Sequence, residues 1–297
     1  MDVRHLLLLR DLAERGSVHA VAAATHRTPS AVSQQLKVAA RELGAVLVEP
    51  SGRGLRLTDA GRLLADSATD VAAALERAEA AWQEFRGSPA GTVSMAMLPS
   101  AATFLLPDVL ADVESVGIGL RCHDVDVAEL EFAALVADHD IVLAHSLTAD
   151  APAGTGGLAA VHLVREPLDI ALPRGHRLAG QAALRPEELV DEDWIGVPAG
   201  FPFDTVLQGI ERRTGRTLRV CQRLKDNRLI EALVGAGHGV AVLPRFTTPT
   251  DGDVVLRPLR EVPTGRHVFA VMRRDRAERR AVRWVRESLV RAADRAA

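Results

Sequence analysis

Residues 62–86 contain neither glycine nor proline, and their apolar side chains recur with strict helical alternation. Leu64, Ala68, Val71, Leu75, Ala78, Trp82 and Phe85 are separated by 4, 3, 4, 3, 4 and 3 positions, which is the heptad seam of a helix that packs along another helix. An amphipathic helix laid on a globular core would carry the same stripe. Alternation this regular over three heptads favours pairing of two chains. Gly87-Ser88-Pro89-Ala90-Gly91 follows and reads as a linker. The helix therefore joins two separately folding parts, in keeping with about two domains for 297 residues.

Ahead of the helix, residues 1–58 read as three short helices and a hairpin. Leu6, Leu9, Leu12 and Ala13 form one stripe that Gly16-Ser17 ends, and Ser17 is placed to cap a helix over 18–25. Thr28 then caps a third helix with Pro29 at its first position, where the missing N–H costs nothing. It runs to about Leu43 and stops at Gly44. Val46–Val48, a Ser51-Gly52-Arg53-Gly54 turn and Leu55–Leu57 read as strand, turn, strand. On the third helix, Ser30, Ser33, Gln34 and Lys37 share one polar face, while Val32, Leu36, Ala39 and Leu43 share the opposite one. An apolar stripe that anchors a short helix while donors and acceptors line its outer face suits base edges and phosphates of a DNA groove. Thr28, Ser30, Ser33, Gln34 and Lys37 are thus candidate DNA contacts, with Arg53 and Arg56 on the hairpin as a wing. The bland alternative is a solvated polar face; helix order, hairpin and charge together argue against it.

Charge is divided to match. Residues 1–58 carry eight Arg or Lys against five Asp or Glu, a net +3, whereas the whole chain is −3, so the remainder sums to −6. A basic head on an acidic body points to nucleic acid at one end only.

Beyond the linker, apolar strand-like runs alternate with helical patterns of 10–15 residues, the signature of α/β architecture with parallel sheets and ligand sites at strand C-terminal ends. Strands are expected at 92–98, 119–122, 141–144, 161–164, 168–172, 195–197, 218–221, 240–243 and 268–272. Helices are expected at 101–114, 128–137, 204–214, 228–235 and about 278–293.

The run "LAERGSVHAVAAATHRTPSAVSQQLKVAARELGAVLVEPSGRGLRLTDAG" over 12–61 resembles the LysR-type transcriptional regulators almost position by position. "EPLDIALPRGHRLA" (166–179), "LVDEDWIGVPAG" (189–200) and "ALVGAGHGVAVLP" (232–244) extend the likeness across the chain. Pro29 stands where the family commonly has glutamine, and Pro50 where a basic residue often precedes the wing. The resemblance implies an N-terminal winged helix-turn-helix (1–58), a dimerising linker helix (59–87) and a periplasmic-binding-protein-like (type 2) effector domain (91–297). Two α/β subdomains would make up that last part, one about 91–162 with 268–297, the other about 163–267, around a ligand cleft. It further implies a cytoplasmic homodimer or tetramer that binds operator DNA and a small effector, with RNA polymerase as a candidate partner.

The segment after the first α/β strand, Pro99-Ser100-Ala101-Ala102-Thr103, opens a helix whose free N–H groups suit a carboxylate or other anion. Ser100, Ala101 and Thr103 are therefore candidate effector contacts, with a plain helix cap as the alternative for Ser100. The family's cleft is walled on its far side by the loop that here holds Phe201 and Phe203, which core packing would explain as well. Asp126, His145 and Asn227 are lesser candidates. At the end of an apolar strand, His145 fits a satisfied structural histidine better than a ligand contact, and an acid at Asp126 or Asp204 that would select an amine is more simply a solvated loop acid.

Other chemistries find no support. Cys122 and Cys221 are far apart and outside any CxxC, the ten histidines show no HExxH, and no G-x-S-x-G is present. Neither Lys37 nor Lys225 follows glycine, so a Walker loop is absent. Gly235-Ala236-Gly237-His238-Gly239 ends a helix and precedes a strand, the reverse of a dinucleotide cradle. No metal, cofactor or catalytic residue is expected, nor any signal peptide or membrane span. Nine Arg against four acids over 273–295 read as a solvated basic helix over an inward stripe of Val282, Val285, Leu289 and Ala292. The rival readings, a ligand-binding protein or an enzyme using the cleft without DNA, would need a leader or a reactive constellation.

Overall fold

The computed structural model of the chain describes residues 2–51, 54–85, 91–125, 127, 131–147 and 150–296, the side chains of 83–85 excepted. Arg53, Asp126 and the side chain of Phe85, singled out above, lie outside the described residues. The chain divides into two compact units, Met1–Pro89 with Arg273–Arg283, and Ala90–Met272 with Trp284–Ala297.

In the first unit, α1 (Val3–Arg15) starts at Asp2, whose carboxylate accepts from the Arg4 N–H, and ends at Gly16 in the left-handed region. Ser17 caps α2 (Val18–Ala24), and Thr28 caps α3 (Pro29–Leu43), which Gly44 terminates with φ +66°. Both glycines allow the reversed backbone that stops a helix at no steric cost. The hairpin pairs β1 (Val48–Ser51) with β2 (Gly54–Leu57). Its first strand begins two residues later than the apolar run suggests. Val46 is exposed while Leu47 drops into the core and its carbonyl accepts from the Thr58 N–H. Leu9, Leu12, Val21, Val32, Leu36, Ala39 and Leu47 form that core, each such Val or Leu contributing roughly 1.5–3 kcal/mol.

Helix α4 (Asp59–Phe85) packs along α1, and its Ala65, Ala68 and Ala72 are all buried. Small side chains let the two helices approach closely. The single C-terminal helix expected near 278–293 is two, α9 (Arg274–Glu278) and α10 (Arg280–Ala296). Residues 273–283, expected within the effector domain, belong to the first unit, where α9 packs on α4. The tie is a buried charge cluster: Asp275 accepts from Arg273 at 2.5 and 3.0 Å and from Arg10 of α1 at 3.0 Å, while Arg273 reaches Glu14 at 3.3 Å. Its members come from opposite ends of the chain, so periodicity could not reveal it.

The second unit holds two five-stranded sheets, in orders β4-β3-β5-β12-β6 and β11-β7-β10-β8-β9. The first comprises β3 (Gly91–Met97), β4 (Ile118–Asp124), β5 (Ile141–Ser146), β6 (Ala159–Glu166) and β12 (Arg266–Met272). The second comprises β7 (Leu168–Pro173), β8 (Asp193–Gly196), β9 (Arg219–Arg223), β10 (Val240–Pro244) and β11 (Val254–Arg257). Neither sheet is all-parallel as expected. Strands β3, β4 and β5 are parallel, but β12 runs antiparallel to β5 and β6; β8, β9 and β10 are parallel, but β7 runs antiparallel to β10 and β11. The reversal follows from connectivity. The chain leaves the first sheet through β6, crosses at Pro167 into β7, and returns at Arg266 to lie beside the strand by which it left. Glu166 and Arg266 are register partners at that crossing. Strand β11, a run of four residues, has no counterpart among the strands expected from the sequence.

Helices α5 (Pro99–Ser115), α7 (Pro202–Thr214) and α8 (Asn227–Gly235) cover the sheets. The helix expected over 128–137 is, among the described residues, the single turn α6 (Phe132–Leu135). Val282, Val285, Leu289 and Ala292 of α10 are all buried, as their stripe requires.

Candidate functional site

Two surfaces carry the candidate residues. On α3, Ser30, Gln34 and Lys37 are exposed and Ser33 is half-buried, above Val32, Leu36 and Ala39 at 0–1 % exposure. The helix is thus clamped by one face and open on the other. Thr28, offered above as a DNA contact, has its hydroxyl committed to the cap: it accepts from the Ala31 N–H at 3.2 Å and hydrogen-bonds Ser30 at 3.0 Å. Arg56 faces Glu49 across the hairpin at 2.8 Å, which offsets its charge. Exposed Arg41 lies four residues, about one turn, past Lys37 on the same face and extends the polar row beyond the four residues named from the sequence.

The heptad seam divides. Ala68 is fully buried and Leu64 is half-buried against the unit's own core, so these two expected dimer contacts serve the fold instead. Val71 is half-buried. Leu75, Ala78 and Trp82 are exposed, Leu75 and Trp82 by 51 % and 53 %. The reason is that α1 and α9 both pack on α4, neighbours that heptad spacing does not specify.

In the second unit a cleft of about 470 Å³ opens between the two sheets' helices. Ser100, Thr103, His145, Phe201, Phe203 and Asn227 all line it; Ala101 does not, because its side chain is fully buried in the core behind α5. Ser100 is not the cap of α5. Leu98 holds that position with no side-chain cap, and the first turn of α7 likewise has none. The start of α5 therefore brings unpaired N–H groups to the cavity, whereas at α7 Pro202 has no N–H and the Asp204 N–H donates to the Phe201 carbonyl at 3.1 Å. The Ser100 hydroxyl oxygen accepts from Arg266 Nη2 at 2.7 Å, which leaves its O–H to donate elsewhere.

Arg266 and Glu166, missed in the sequence, hold the cleft together. Arg266 donates through Nε and Nη2 to Glu166 Oε2 at 2.7 and 2.5 Å, both side chains being buried, and its guanidinium lies 5.6 Å from the Phe203 ring centre. Burial pushes the Glu166 carboxyl above its ordinary value, while Arg266 and the Phe246 N–H pull it back. The one signal in the sequence was a pair of charges ending two apolar strands. Phe203 is core and cleft wall at once; Phe201 is half-buried and carries the Lys225 ammonium 4.8 Å from its ring centre. Asp204, weighed as an amine-selecting acid, is buried and bonded to Arg223 at 2.6 Å and Gln208 at 2.8 Å. Asn227 follows Asp226, which caps α8.

His145 departs from expectation. It is 3 % exposed, but neither ring nitrogen has a hydrogen-bond partner, and the ring meets Phe132 edge-on at 4.9 Å. Burial, then the charge of Arg266, lowers its pKa to about 3, so the ring is neutral at physiological pH. It is not the satisfied structural histidine the sequence favoured. Among the described residues there is no group of three or more His, Cys, Asp or Glu fit for a metal, and no helix long and apolar enough to cross a membrane.

Residues 3–62 match the family model described as "Bacterial regulatory helix-turn-helix protein, lysR family", and residues 86–294 match "LysR substrate binding domain". The RuBisCO operon transcriptional regulator of Allochromatium vinosum is 24 % identical over 279 residues, covering 92 % of this chain and 90 % of that protein. A full-length OxyR variant from Pseudomonas aeruginosa has a similar fold, with a TM-score of 0.64 at 19 % identity over 98 % of each chain. So does full-length CbnR complexed with its target DNA, with a TM-score of 0.54 at 20 % identity over 99 % of this chain and 100 % of that one.

Proposed function

Because this chain belongs to the LysR family of transcriptional regulators, we propose that α3 enters the major groove with Ser30, Ser33 and Gln34 toward base edges and Lys37 and Arg41 toward phosphates. The chain is a DNA-binding regulator with an effector-binding domain. The observation that carries the assignment is the exposed polar row of α3 standing on a buried apolar one. A helix fixed in this way presents donors without reorganising. Arg56, offset by Glu49, contributes less than Lys37.

The cleft receives the effector, and its anionic group sits at the start of α5, where the Ser100 O–H and first-turn N–H groups donate. Two chains pair through the exposed end of the α4 seam around Leu75 and Ala78, which brings two copies of α3 to successive half-sites. Effector and DNA are linked as any two ligands of a two-state protein are: the effector shifts DNA affinity only by its differential affinity for the two states. The molecule acts in the cytoplasm, with RNA polymerase as the partner that reads its position. No reaction is assigned to the cleft.

Gel-shift titration of duplex DNA over a salt series tests the α3 assignment. Lys37→Ala should weaken binding to all sequences and, with one Lys37 in each of two chains, reduce the slope of log K against log salt by about 1.8. Gln34→Ala should relax preference at one base pair, by about 1–3 kcal/mol. Wild-type slopes retained in Lys37→Ala would remove α3 from the interface.

A further inference from the structure

Strand β6 lies at the edge of the first sheet beside β12, and a histidine from each meets the other: His162 Nε2 stands 2.9 Å from His267 Nδ1. The two are 105 positions apart, so no motif spacing announces them. The ladder slips between Val268 and Phe269, which sets His162 opposite Phe269 with the two rings edge to face at 5.1 Å. Phe269 is buried, His162 exposed and His267 half-buried. Paired strands and an aromatic backing therefore hold two imidazoles together where solvent reaches them.

A neutral imidazole carries one proton, on either nitrogen. With the protons on His162 Nδ1 and His267 Nε2, the two facing nitrogens are both bare, and no proton is lost in reaching that state. A turn of the exposed His162 ring then aims both lone pairs at one ion. Imidazole nitrogens about 2.05 Å from a metal lie about 2.9 Å apart at a right angle and about 3.3 Å apart at the tetrahedral angle. The observed separation matches the right angle, the geometry of tetragonal Cu(II) or Ni(II) rather than of zinc, and copper stands highest in the divalent series. Among the described residues no group of three His, Cys, Asp or Glu completes a protein-only shell, so water takes the remaining positions. One cation opposes the ion: the charge of Arg165, register partner of His267, reaches that ring, although its guanidinium donates to the Thr264 carbonyl and lies against Gly265.

We propose that His162 and His267 form a surface chelate for a tetragonal divalent metal, Cu(II) ahead of Ni(II) and Zn(II). It clips β6 to β12 one residue from the Arg266–Glu166 crossing. The proposal is independent of the effector and DNA readings.

Titration of the full chain with copper(II) chloride tests it, at about pH 7.5 where free imidazole is neutral, with excess glycine to suppress binding at single imidazoles. Electron paramagnetic resonance should show one equivalent held by two imidazole nitrogens. His162→Gln and His267→Gln should each weaken that binding at least about tenfold. Arg165→Gln, which removes the opposing charge, should tighten it, and His123→Gln, from a second pair of neighbouring rings with His139, should change nothing. Copper should also raise the melting temperature of the wild type and not of the double His162→Gln, His267→Gln variant. Copper affinity that survives the double variant, or that falls with His123→Gln instead, overturns the proposal. So does a single-nitrogen spectrum, zinc bound as tightly as copper, or no copper retained against glycine.

Discussion

Replacing Asp275 with asparagine should loosen the first unit by about 3–5 kcal/mol, the cost of removing one member of a buried ion cluster. Asp275 is 5 % exposed and accepts from Arg273 at 2.5 and 3.0 Å and from Arg10 at 3.0 Å. Asparagine keeps the shape but withdraws the charge that compensates two guanidinium groups, on residues only 8 % and 9 % exposed. What remains is Glu14, 3.3 Å from Arg273 and 3.7 Å from Arg10, and Asp11, 3.6 Å from Arg10. None replaces a bidentate contact. Hydrogen exchange read on α1 peptides reports the loss where it arises: opening should become at least about a hundredfold more frequent, while α8 in the other unit stays unchanged. The same carboxylate sets a pH dependence. Burial raises its pKa, but hydrogen bonding and charge from Arg273, with Arg10 behind, outweigh burial and hold it below 3.8. A depressed folded pKa stabilises above the unfolded value and is lost as pH falls through the folded one. Wild-type α1 protection should therefore decline below about pH 4, and the variant should lack that component. A loss under about 1 kcal/mol, with unchanged acid sensitivity, would refute the claim that this cluster fastens α9 to α1.

Gly61→Ala, which in an ordinary helix gains about 1 kcal/mol, should here destabilise by roughly 1–3 kcal/mol in urea melts, because a Cβ would lie 2.1 Å from the Leu47 carbonyl oxygen. Leu75→Glu should shift the chain toward monomer in sedimentation equilibrium if the exposed seam pairs, whereas Ala68→Glu should unfold the first unit, since Ala68 is fully buried. Both cysteines should alkylate more slowly than a free thiol at about pH 8. Burial raises the Cys122 thiol, and the hydrogen bond to Asp193, with burial and its charge, raises Cys221, so Asp193→Asn should speed Cys221 alone.

The local devices were legible in the chain itself. Caps at Ser17 and Thr28, stops at Gly16 and Gly44, the two-faced pattern of α3 and the inward stripe of α10 depend on residues within a few turns of one another, and spacing alone encodes them. Ser100, Thr103, Phe201, Phe203 and Asn227 were nominated from helix starts and from the family likeness, and they do line one cleft. Tertiary structure decided what long-range pairing decides. Arg266 meets Glu166 only because the chain crosses between sheets twice at one place, and Asp275 reaches Arg10 only because α9 lies with the head. The first part of the α4 seam, Leu64 and Ala68, is absorbed within the first unit, where α1 and α9 pack on α4, neighbours that the stripe itself cannot specify. Periodicity names which face of an element is buried; it carries no record of which partner covers that face, because burial is non-directional and any apolar surface of fitting shape will serve.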